Sequence, residues 1–585
     1  MINTLKALIV VLPVIILTFA TARFVFAPII RPARMDLWCG LFSIVTILGF
    51  VLANFWFMIL ALLIFMGAVV GLRVEKNLPA LYALLICVLP PLEKAIPGFA
   101  GINQIFPISP PLLLSITILI PALLYTKQTF GKLRGIYLTD FFMFAFVVLS
   151  MILAFRDTTF TDGLRAIWIV VLSVFLPYFI FSRWVRTMDD LRVVAVALLV
   201  PLIAMSVLAF LESVLHWHFY AMPSANWHGP FASPYSYRSG FLRAYASVMG
   251  PIEFGFMLMV VLTLTFALLG QKVSKIMATG GIGAILGALL LTFSRGPWLG
   301  AVISTGMYVV SGPKGISRGM IAGVAGLIAF IGLAISPMGD SVLSILPFFG
   351  DNVASDTFDY RERLWELGWR VIMQNPLFGS TDYLETPEMK SLIQGQGIVD
   401  IVNSYIQVAL DKGLVGLFLF CGILLSSAFA AWRAMRLTLK SRPALSDLAR
   451  AFFAAMMGVL VVIGTTSSIA QVPIFYWMLA GLSVGARRLA ATPQEATSPA
   501  LAKADGEGAP AQNPAAQTEA ETGANAHAPE HSLKAAQQAA ELDGEARALA
   551  KRNAQMKARA GRGTGGVSPD KLPAHLRQYV KPDAD

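Results

Sequence analysis

The feature that most constrains this chain is a succession of about fourteen or fifteen apolar runs within its first 487 residues. About 20 apolar residues in a row read as a helix crossing roughly 30 Å of hydrocarbon. Only helices and closed barrels satisfy their backbone polar groups there. The runs fall near 4–22, 36–52, 54–72, 77–92, 110–126, 138–155, 164–182, 191–212, 246–270, 276–293, 297–312, 318–337, 414–432, 448–469 and 472–486. Composition agrees: 56% hydrophobic, 14% charged, with mean hydropathy +0.69. The expected fold class is therefore all-α, a polytopic membrane protein of about 14 transmembrane helices. The first run lacks a small-residue cleavage site, so it is expected to stay as a helix. Cys39, Cys87 and Cys421 all lie in apolar runs and carry no disulfide framework or metal-ligand spacing.

The links fix an expected orientation. Arg31 and Arg34, Arg73 and Lys76, Lys127 with Lys132 and Arg134, Arg183 with Arg186 and Arg192, and Lys314 with Arg318 fall on alternate junctions. Short basic links face the cytoplasm, which puts the other junctions outside. The net charge of +11 then reflects anchoring at the inner face, and no basic and aromatic platform for nucleic acid is seen. Two outward loops are long: 213–245, and 338–413 with eleven acidic and five basic residues. The expected domains are a membrane domain over 1–487, with the large periplasmic loop 338–413 inserted, and a disordered cytoplasmic tail over 488–585, where large apolar residues nearly vanish.

Several arginines oppose this bias. Arg238 and Arg243 lie in "YRSGFLRAY", Arg295 in "LTFSRGPWLG", and Arg361, Arg363 and Arg370 in "DYRERLWELGWR". The planar arginine fork grips phosphate or carboxylate through paired hydrogen bonds. Around Arg295, Gly296 permits close approach and Pro297 suits the first position of a helix, whose free N–H groups favour an anion. Two readings stand for these arginines: an anion site, or pairing with acids such as Asp359 and Glu362 and anchoring to headgroups. His216 and His218 alternate with aromatics in "LHWHFY" and read as an interfacial belt, while His228 in "NWHGP" faces outward.

"TFSRGPWLG" (292–300), "YRERLWELGWRVIMQNPLFGS" (360–380) and "NSYIQVALDKGLVGLFLF" (403–420), with "YRSGFLRAYASVMGPIEFGFML" (237–258) upstream, resemble the segments of the O-antigen ligase and O-antigen polymerase family in order and separation. The resemblance covers roughly 230–430. It implies a GT-C-like, multi-spanning glycosyltransferase of the bacterial inner membrane. Its substrate would be an oligosaccharide linked to undecaprenyl diphosphate, taken at the periplasmic face without cofactor, metal or nucleotide sugar. The product would be O-antigen, capsule or exopolysaccharide, with a chain-length regulator and export proteins as partners. The anion then has a name, the donor diphosphate.

Arg238, Arg295 and Arg361 are the candidate diphosphate ligands, with Arg243 and Arg363 behind them. The family's ligases usually carry His before the Asn of the N-x-Y segment, whereas Val402 stands here before Asn403, which favours a polymerase. Asp400 is the nearest ionisable group and is proposed as base or acceptor-orienting group, with Asn403 and Tyr405 beside it; the alternative is that Asp400 caps a helix beginning near Ile401. Glu253, near the outer end of a span, is a further catalytic candidate or a partner of Arg243. The rival function is a flippase or transporter for lipid-linked sugars, which would show broken helices in two matching halves.

Overall fold

The computed structural model describes residues 2–98, 104–127, 137–227, 237–238, 240–271, 273–336, 353–393, 398–469 and 471–492. All belong to the first of two compact units, Met1–Ser498; the second, Pro499–Asp585, lies outside the described residues, as does most of the expected tail. Helix Val472–Ala491 continues a little past the expected boundary at 487.

Helix occupies every apolar run, but not every run is a span. Among the described residues seven helices are long and apolar enough to cross a membrane by length and composition, including Met188–Leu215, Pro251–Leu269 and Pro443–Thr465. Phe55–Gly71, Leu138–Leu153 and Lys275–Leu291 are shorter apolar helices. The run 77–92 departs from expectation. It is helical only over Leu78–Leu85, about 12 Å of rise, and those residues are all buried. Pro90 and Pro91 then rule out continuation. Its hydropathy comes from burial inside protein rather than from contact with lipid.

Two small antiparallel sheets qualify the all-α expectation: Lys94–Pro97 with Gln104–Ile108, and Tyr237–Arg238 with Phe241–Leu242. The second carries Arg238 and is central to the site.

Within 338–413, helix Val353–Gln374 packs through Leu364, Val371 and Ile372 onto Ile406, Ala409 and Leu410, forming a second apolar core apart from the main one. The helical stretch Ser404–Thr438 is not one rod. It breaks at Gly413, whose φ is +68°. In an unbroken helix Tyr405 and Phe420 would be about 22 Å apart along the axis, yet their ring centroids lie 6.0 Å apart. Residues 404–412 therefore fold back along 414–438, and the apolar span starts after the break, where the sequence placed it.

The break is locked by the "NPLFGS" turn. Leu414 N–H donates to the Pro376 carbonyl at 2.7 Å and Ser380 N–H to that of Leu410 at 3.0 Å. Arg156, at the end of helix Leu138–Leu153, donates to the carbonyls of Phe378, Gly379 and Asp411 at 2.8, 2.9 and 2.7 Å. Gly379 and Gly413 both adopt left-handed φ, and a Cβ on Gly413 would overlap the Leu377 carbonyl. Gly413→Ala is therefore expected to destabilise the protein by roughly 2 kcal/mol or more. Thermal unfolding in detergent checks it, and an unchanged midpoint would contradict the docking.

Candidate functional site

Helix Lys275–Leu291 ends at Thr292, Phe293 takes a left-handed φ of +47°, and helix Arg295–Val310 begins. Pro297 is third in that helix rather than first, still within the turn whose N–H groups have no helical acceptor. It packs where a Cβ on Gly255 would stand, which brings helices 295–310 and 251–269 together. On the other side Gly296 leaves room for Thr465. The turn costs about 1–2 kcal/mol for a non-glycine residue and is held from outside, because the strands Tyr237–Arg238 and Phe241–Leu242, with Arg243 and Ala244, dock onto it. Ala244 N–H donates to the Leu291 carbonyl at 3.0 Å, and Phe241 stacks on Phe293 with centroids 5.6 Å apart. Arg238 donates to the Phe293 carbonyl at 3.0 Å. Arg243 donates to the Thr292 carbonyl at 3.0 Å and to Ser294 Oγ at 2.9 Å.

The hairpin is anchored from behind by helix Met188–Leu215. Ser213 Oγ donates to the Leu242 carbonyl at 2.9 Å. The fully buried Glu212 carboxylate accepts from the N–H groups of Phe219, Tyr245 and Ala246 at 3.3, 3.3 and 3.1 Å, and lies 3.2 Å from His218 Nδ1. This corrects the interfacial-belt reading for His218. The chain turns sharply at His216, with φ of +49°, and folds His218 into the core against Tyr245, ring centroids 3.8 Å apart. His228 lies outside the described residues. Glu212→Ala would leave three backbone donors without an acceptor, and is expected to cost roughly 3–5 kcal/mol and loosen the Arg243 turn. Thermal unfolding of the detergent-solubilised variant reads the loss; a midpoint equal to that of the native protein would contradict it.

Arg238, Arg295 and Arg361 converge at this junction. Burial, and then the charges of Arg295 and Arg361, lower the pKa of the Arg238 guanidinium. Arg361 is lowered by burial and by Arg295, and Asp400 opposes the shift. Arg243, deeper in, is pushed down to about 10 by burial and Arg238, so it stays charged at neutral pH. Among the described residues none of these four arginines forms an ion pair. The expected pairing partners Asp359 and Glu362 are not engaged with them; only Arg370 is paired, with Glu366 at 2.5 Å. Arg361 donates to the Thr465 carbonyl at 3.3 Å. The Nε atoms of Arg295 and Arg361 are buried with no hydrogen-bond acceptor among the described residues. Gathered cations held partly out of water are costly unless an anion joins them. Arg363 is not part of the group: two residues beyond Arg361, about 200° around the helix, it is exposed.

The acidic side of the site lies across from Arg361. Asp400 is exposed, its Oδ1 accepts from Ser467 Oγ at 3.1 Å, and its carbonyl accepts from the Tyr360 hydroxyl at 2.9 Å. It does not cap a helix. The helix begins at Ser404, and Asn403 caps it by accepting from the N–H groups of Tyr405 and Ile406 at 3.0 and 3.2 Å. The Tyr405 hydroxyl donates to the Leu460 carbonyl at 2.6 Å. Asn403 and Tyr405 thus shape the floor, while Asp400 keeps a carboxylate oxygen without a hydrogen bond among the described residues. Glu253, in the first turn of helix Pro251–Leu269, is buried with its carboxylate folded against Gly250; Asp400 and Arg243 are its charged neighbours.

Sequence reasoning missed Thr465, Ser467 and Glu212. The polar string "GTTSS" (464–468) between two apolar runs was the available signal for the first two. Glu212, inside an apolar run, carried the same signal as Glu253, a carboxylate where burial is costly.

Residues 280–421 match the family model described as O-antigen ligase. The matched stretch contains Arg295, Arg361, Arg363, Asp400, Asn403 and Tyr405; Arg238, Arg243 and Glu253 lie upstream of it. A search of curated proteins gives no match.

Proposed function

We propose that this membrane protein, whose 280–421 stretch is of the O-antigen ligase family, polymerises oligosaccharide repeat units carried on undecaprenyl diphosphate at the periplasmic face of the inner membrane. One observation carries the reading: three guanidinium groups converge with no ion pair among the described residues, beside an exposed carboxylate.

The chemistry follows from that pairing. The acceptor hydroxyl oxygen forms a bond to the anomeric carbon of the donor as the bond from that carbon to the diphosphate oxygen breaks. The hydroxyl proton passes to Asp400, and the electron pair of the broken bond leaves with the diphosphate. Arg238, Arg295 and Arg361, already gathered before the reaction, balance the charge that develops there. Arg243 holds the turn that leads into Arg295 and receives Arg238, and Glu253 lies behind it.

The family description favours a second reading, transfer of the finished chain to lipid A core. Val402, standing before Asn403, weighs against it through the departure from the ligase pattern. Purified protein in liposomes, given undecaprenyl-diphosphate oligosaccharide with and without lipid A core, separates the possibilities. Chains longer than the input support polymerisation. Transfer only to lipid A core replaces it with ligation. Movement across the bilayer with no new bond sinks both and leaves a flippase.

A further inference from the structure

Helix Val353–Gln374 carries two tryptophans for which the reaction above has no use. Trp365 and Trp369 are 57% and 44% exposed. Their ring centroids are 6.4 Å apart and their planes only 11° from parallel. Arg361, Trp365 and Trp369 stand at i, i+4 and i+8, so they share one stripe of the helix. That stripe begins in the arginine cluster, at the residue that donates to the Thr465 carbonyl. It rises about 12 Å along the axis to Trp369, and the helix ends just before the Pro376–Leu414 contact at the chain break.

The surroundings say what covers these rings. The adjoining faces of the helix carry Glu362, Glu366 and Arg370, all exposed, the last two paired with each other. Such a helix is unsuited to immersion in hydrocarbon, yet two near-parallel indoles are left about half exposed on it. A pyranose ring presents C–H groups on its faces and hydroxyls on its edge. It lies flat on an indole while its edge bonds to neighbouring charged side chains.

We propose that Trp365 and Trp369 form a saccharide-stacking platform, which holds the sugar units next to the donor diphosphate and leads the chain away from the reacting bond. This rests on the reading of the arginine cluster as the diphosphate site, and the two are tested with separate probes. The full-length protein in nanodiscs is titrated with oligosaccharides released by partial acid hydrolysis from the producing cell's surface polysaccharide. Undecaprenyl diphosphate lacking sugar is titrated separately. Trp365→Ala/Trp369→Ala should bind the oligosaccharides roughly tenfold more weakly and bind undecaprenyl diphosphate as the native protein does, which also shows that the variant is folded. Trp365→Phe/Trp369→Phe should keep most of the oligosaccharide affinity.

Equal oligosaccharide binding by the native and double-alanine proteins overturns the platform, and so does a native protein that binds none. Fluorescence quenching by brominated lipids that is greater for the native protein than for the double-phenylalanine variant also overturns it, since the pair would then be a membrane anchor. Failure of the native protein to bind undecaprenyl diphosphate would count instead against the diphosphate reading.

Discussion

Arg361→Ala and Arg295→Ala are each expected to cut chain extension by roughly 10²–10³-fold while leaving the amount of protein in the membrane unchanged. The magnitude is that of removing one fixed donor aimed at developing negative charge. The structure gives a reason for expecting folding to survive. Among the described residues both Nε atoms are buried without an acceptor, and the hydrogen bond of Arg361 goes to a backbone carbonyl. Taking away one of several mutually repelling cations also relieves like-charge repulsion in the empty site. Retained folding with lost activity is the signature expected of a ligand-binding cation. Polymer of normal length and yield from both variants would contradict the diphosphate site. Arg243→Ala should behave differently and lower the protein level as well, because Arg243 holds the Thr292 carbonyl and Ser294.

Asp400→Asn carries the second large effect, a loss of roughly 10²–10⁴-fold, the usual contribution of a positioned general base. The amide keeps an oxygen able to accept from Ser467, so the local fold has no reason to change. Glu253→Gln should cost less, because the Glu253 carboxylate is buried against Gly250 behind the turn rather than open to an acceptor. Initial rates of extension on the purified lipid-linked substrate rank the two. If Glu253→Gln proves the more damaging, the base moves to the helix Pro251–Leu269.

Much of this site was legible because charge is informative in an apolar chain. An arginine on a junction expected to be poor in basic residues stands out without a structure, and Arg238, Arg295 and Arg361 were visible in that way. What could not be read was which arginine is spent on the protein itself. Arg243 and Arg238 look alike in "YRSGFLRAY", and only the docking of the hairpin against 291–294 gives Arg243 two partners there, the Thr292 carbonyl and Ser294, and Arg238 one, the Phe293 carbonyl. The role of Asp400 turned on a boundary three residues away: once the helix begins at Ser404, Asn403 is the cap and Asp400 is released. Hydropathy misled at 78–85, where burial inside protein and burial in lipid give the same signal. His218 misled because alternation cannot show that the chain reverses at His216. The fold-back at Gly413 was equally silent, since its cause is a close approach to Leu377, a residue 36 positions away.

The most direct test of the central claim is the affinity of the purified protein for undecaprenyl diphosphate lacking any sugar, compared between native protein and the Arg295→Ala/Arg361→Ala double variant. Binding to the native protein that weakens roughly 100-fold in the double variant, and that exceeds binding of undecaprenyl monophosphate, is the predicted result. Equal affinity of the two proteins for the diphosphate would show that the converging arginines hold something else.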